Sequence, residues 1–71
     1  MNEPSDWMRW QHEHAEALRA LQEAQRAYHR LASERAFAID NGAARRETAE
    51  ALQRVDSVRR RLDEVRGRQP R

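Results

Sequence analysis

Two histidines, His12 and His14, stand two residues apart in a chain of 71 residues. On a helix such residues point about 200° from each other, so their imidazoles cannot share one metal ion without unwinding it. His12 and Glu16 do share a face, but two ligands fall short of a zinc site, and solvated side chains are the simpler reading. His14 lies on the apolar seam described below and His29 beside it. A half-buried histidine there could couple assembly to pH between about 5 and 8, and a histidine hydrogen-bonded at a bundle edge fits the same positions. The hydroxyls are Ser5, Ser33, Ser57, Thr48 and Tyr28, none in a nucleophile elbow and none beside a base at a suitable helical spacing. There is no glycine-rich phosphate loop, and two helices offer no pocket that excludes water. The expectation is therefore no enzyme, no cofactor and no metal.

The arginines are the other group with chemical potential. Residues 42–71 carry nine arginines against five acids, and the first 41 residues carry five against seven, so the chain is polarised in charge. A basic half of this kind could meet phosphates, which makes a small nucleic-acid-binding regulator the alternative reading, using Arg54, Arg59, Arg60, Arg61, Arg66 and Arg68. Asp56, Asp63 and Glu64 interrupt the patch, however, and helical rotation scatters Arg59, Arg60 and Arg61 around the cylinder. A solvated, salt-bridged face is favoured over phosphate binding.

These side chains must be positioned by helices. From Asp6 to Ile39 there is neither Gly nor Pro, while Ser5 or Asp6 supplies an N-cap. Asn41 and Gly42 tolerate positive φ and mark the internal break, and Gly67 and Pro70 oppose continuation at the far end. The reading is one domain over residues 1–71, with helix 1 at about 6–40, a turn at 40–43, helix 2 at about 43–66 and a frayed tail at 67–71. Trp10, His14, Ala17, Leu21, Ala24, Tyr28, Leu31, Arg35 and Ala38 alternate in steps of four and three, the spacing of a heptad seam. Ala44, Thr48, Ala51, Val55, Val58, Leu62 and Val65 repeat it. Charged residues fill the outer faces, where Glu50 and Arg54, Arg59 and Asp63, and Arg60 and Glu64 sit four apart.

The fold class expected is all-α: an antiparallel two-helix hairpin with facing positions summing to roughly 82 and a core of Leu18, Leu21, Tyr28, Leu31, Ile39, Leu52, Val55, Val58, Leu62 and Val65. That core is meagre. Leu, Ile, Val and Phe total ten residues, and twelve alanines supply much of the 38% hydrophobic content. Without cysteine there is no disulfide to compensate, so stability must come from packing or assembly. Helix 1 also outruns helix 2 at its N-terminus, carrying Trp7, Met8 and Trp10 beyond the last apolar residue opposite. Two uncovered tryptophans invite association. The expected function is thus a protein–protein interaction module that acts through homodimerisation into a four-helix bundle, or through another protein partner, at Trp7, Met8, Trp10, His14 and Leu18. No apolar run approaches the length of a membrane span and the N-terminus is acidic, so the expected location is cytoplasmic.

Overall fold

The computed structural model describes residues 4–37 and 42–70, with side chains for 5–34 and 42–70. It consists of two helices, α1 (Pro4–Phe37) and α2 (Gly42–Gly67), packed against each other. Contacts fix their direction. Ala17 clusters with Leu62 and Val65, Ala24 shares a groove with Val58, and Leu31 shares one with Ala51. Partners therefore move back along α2 as they advance along α1, so the helices are antiparallel in the register read from the sequence. The fold is elongated, with extents of 59 × 14 × 12 Å. Its radius of gyration is 16.6 Å, whereas a compact domain of this length would have about 11 Å.

The seam is a consequence of period. Among described side chains, each seam position from Trp10 to Leu31 and from Ala44 to Val65 is buried or half-buried. The fully buried ones are Ala17, Ala24, Val55, Leu62 and Val65. Ala17 and Ala24 let the backbones approach, and branched side chains from α2 fill the space opposite. Thr48 is a polar residue on this seam; its hydroxyl is satisfied locally by donating to the Ala44 carbonyl at 2.8 Å.

Several expectations shift. Helix α1 begins at Pro4, placing Ser5 and Asp6 inside the first turn, not at the cap. Proline suits that first position because its missing N–H would have no helical partner there. Gly42 opens α2 and Gly67 closes it, and neither has positive φ. Beyond Gly67 the chain makes a tight turn in which Arg68 N–H donates to the Val65 carbonyl at 3.1 Å and Gln69 N–H to the Arg66 carbonyl at 3.3 Å. Leu52, expected in the core, is 45% exposed because it sits one residue past Ala51, rotated about 100° off the seam. Leu18, Leu21, Tyr28, Leu31 and Val58 are half-buried. The turn at Asp40 and Asn41, the end of helix 1 beyond Phe37, and the core position Ile39 lie outside the described residues.

Candidate protein interface

The open end of the hairpin gathers most of the residues singled out in the sequence. Trp7, Trp10 and His14 fall three and four apart on α1, which places them on one face. The Trp7 and Trp10 rings meet edge to face with centroids 6.0 Å apart, and His14 stacks on Trp10 at 5.0 Å. Both arrangements are ones that aromatic quadrupoles favour.

The geometry changes the status of Trp10. Its indole stacks on His14 and donates Nε1–H to the Val65 carbonyl at 2.7 Å. It also packs against the cluster of Ala17, Leu62 and Val65. The last carbonyls of a helix have no partner within the helix, and they point along its axis past the C-terminus. The indole meets one of them, while Arg68 N–H occupies the same oxygen from the other side. Trp10 is therefore the closing element of the core and not part of an overhang. Only Trp7, which is half-buried, and Met8, which is 68% exposed, remain at the periphery. Leu18, the fifth residue of the expected interface, packs partly against the core cluster.

Sequence reasoning missed this arrangement, although the signal was present. A tryptophan indole is a pure donor, and a helix C-terminus is a row of acceptors without partners. Counting register alone placed Trp10 beyond α2; the length of its side chain returned it.

The arginines considered for nucleic acid are divided in use. Arg66 Nε makes a long 3.5 Å contact to Nε2 of His14. Arg68 reaches Glu13 at 3.8 Å, linking the tail of α2 to α1. Arg61 lies 3.9 Å from Glu64, the partner expected for Arg60; on a helix, spacings of three and four are both neighbours. Arg54 lines two grooves, and Arg59 and Arg60 are exposed. Arg54 and Arg61, seven apart, share one face of α2, and Arg59 and Arg66 share another. His12 and Glu16 come within 2.9 Å as their spacing implied, both largely exposed.

Two grooves lie beside the seam among the described residues. One of about 450 Å³ is lined by Leu31, Glu47, Glu50, Ala51 and Arg54, and a second of about 250 Å³ runs beside Ala20, Ala24, Ala27 and Val58. Among the described residues no three His, Asp or Glu side chains are grouped to hold a metal ion, and no helix is long and apolar enough to cross a membrane. The fold defines the class: an all-α antiparallel helical hairpin closed at its open end by an indole. No protein-family model, curated protein or solved structure matches the chain.

Proposed function

We propose that this hairpin is a non-enzymatic protein–protein interaction module that assembles with a second copy into a four-helix bundle and displays Trp7 and Met8 as an aromatic knob at its end. The observation that carries this reading is the thinness of the core. Among the described residues five side chains are buried, two of them alanine and none larger than leucine. Burying a leucine or valine yields about 1.5–3 kcal/mol, while ordering each residue costs about 1.5 kcal/mol. Two helices with so small a core are marginal alone, and packing a second pair against them is the usual remedy. Trp7 and Met8 suit recognition because tryptophan is a frequent energetic anchor at interfaces and methionine adapts to irregular surfaces.

Sedimentation equilibrium of the wild type tests the assembly: a dimer is expected at micromolar concentration, and a monomer with fully formed helices would refute it. The rival reading has its own requirement. Retention on duplex DNA or structured RNA at physiological salt, lost when Arg59, Arg60 and Arg61 are changed to alanine, would replace the present proposal with a nucleic-acid role.

A further inference from the structure

Helix α1 carries a second stripe besides the one that packs on α2. Gln11, Ala15, Leu18, Gln22, Gln25 and Ala32 follow each other in the same steps of three and four, with His29 on the same line, and none is an acid or an arginine. All nine acids and arginines between Asp6 and Glu34 fall on the remaining rows of the helix. The stripe lies roughly 100° around α1 from the seam and extends over about 30 Å. Helix α2 does not cover it. Leu18, Gln25 and Ala32, nearest the seam, are half-buried, and Gln11, Ala15, Gln22 and His29 are exposed. The corresponding flank of α2 is charged, with Arg45, Asp56, Arg59, Asp63 and Arg66 around Leu52. The uncharged surface is thus a property of α1 alone.

We infer that this stripe is where a second copy of the chain docks, α1 against α1, antiparallel about a two-fold axis that passes near Gln22. The inference rests on the self-association proposed above and locates it. Three observations converge on this occupant. The first is area. The hairpin exposes 5906 Å², whereas a compact monomer of 8.4 kDa exposes about 4,600 Å². The excess of about 1,300 Å² reflects the elongated shape of the whole hairpin, and a second copy laid along its length has room to cover the roughly 800 Å² per partner of a standard interface.

The second observation is self-complementarity. With the axis near Gln22, Gln11 faces the partner's Ala32, Ala15 faces the partner's His29, and Leu18 faces the partner's Gln25. Each alanine is opposed by a long side chain, as interdigitated packing requires. A parallel pair would set alanine on alanine and histidine on histidine, leaving voids beside collisions. The third is the kind of polarity present. Glutamine amides both donate and accept, so Gln22 and Gln25 can satisfy one another across the axis, and no charge has to be desolvated. On one side the stripe is bordered by Arg19 and Arg26, whose rows from the two copies approach each other. Salt should therefore tighten the association by screening that repulsion.

The test compares the wild type with Ala15→Glu/Gln22→Glu and with Gln53→Glu, a change on the exposed outer face of α2. Ala15 and Gln22 are exposed in the hairpin, so circular dichroism should report unchanged helicity for all three. Sedimentation equilibrium should show a dimer for the wild type and for Gln53→Glu. For the double variant it should show a loss of affinity of roughly a hundredfold or more, because the two carboxylates at position 22 meet at the axis and those at position 15 are placed within the docked stripe. Since the chain has no cysteine, single substitutions give clean crosslinks. Gln22→Cys should oxidise to a disulfide dimer, and Met8→Cys should not, its two copies being about 40 Å apart in the antiparallel arrangement. A wild-type dimer that tolerates the glutamates, that loosens with added salt, or that crosslinks equally through position 8 would overturn the inference and leave self-association standing. A wild-type monomer would overturn both.

Discussion

Replacing Trp10 with phenylalanine keeps a ring on the seam and removes the donor that holds the end of α2. The hydrogen bond to the Val65 carbonyl is short at 2.7 Å and half-buried, and a bond of this kind contributes about 0.5–1.5 kcal/mol net. The oxygen it leaves still accepts from Arg68 N–H at 3.1 Å, so no orphaned acceptor adds a desolvation penalty and the cost stays within that range. Loss of the larger ring removes about 40 Å² of apolar contact, and halving this for partial exposure gives about 0.5 kcal/mol. The sum is about 1–2 kcal/mol. At about 4–8 °C of Tm per kcal/mol for a domain this small, the midpoint should fall by about 5–15 °C.

Thermal and urea unfolding followed by circular dichroism at one fixed protein concentration measure it, since the Tm of a self-associating protein depends on concentration. Trp7→Phe is the control. Trp7 contributes an edge contact to Trp10 and no hydrogen bond to α2, so its replacement should cost under about 1 kcal/mol. Equal losses in the two variants, or no loss in Trp10→Phe, would show that the indole N–H does not hold the helix end and would refute the reasoning.

Three further outcomes follow from burial and backbone geometry. Val65→Ala, at a side chain 1% exposed, should cost about 2 kcal/mol by urea denaturation, from two lost methyl groups and the cavity they leave, whereas Leu52→Ala at 45% exposed should cost less than half of that. Gly67→Ala should raise Tm by a few degrees: Gly67 has no positive φ and a Cβ there meets nothing within 4 Å, so the gain is the roughly 0.5–1 kcal/mol of helix propensity and unfolded-state entropy, and a fall in Tm would mean a left-handed residue. Glu13→Gln should cost at most about 0.5 kcal/mol and lose even that in high salt, because its 3.8 Å pair with Arg68 is largely exposed.

The seam was legible because it depends only on period. Apolar and small residues in steps of three and four have one way to face a neighbouring helix, and positions from Trp10 to Leu31 and from Ala44 to Val65 are enclosed accordingly. Register was legible for a similar reason: with one internal break, the sum of facing positions is nearly constant. Less legible was anything decided by side-chain length. Trp10 lies beyond α2 by backbone count and against Val65 by its indole. Arg68 was read as a candidate for phosphate and lies near Glu13, a pairing that depends on the turn after Gly67. Leu52 looked like core by type, yet one residue of rotation leaves it at the edge.

The alanines and the tryptophan belong to one solution. Ala17 and Ala24 bring the two backbones close, which improves packing but contributes little apolar area per residue. Such a seam resists sliding better than it resists splaying. Four residues of sequence join Phe37 to Gly42, which limits how far that end can separate, so the free ends are where separation would begin. Trp10 to Val65, Arg66 to His14 and Arg68 to Glu13 all cross between the helices there. Each is modest, but all three must break before the seam opens from that side. The N-terminal aromatic turn therefore secures the hairpin, and Trp7 and Met8 at its edge are the residues proposed to meet a partner. A second copy docked along the uncharged stripe of α1, as proposed above, would leave this closure at the open end intact.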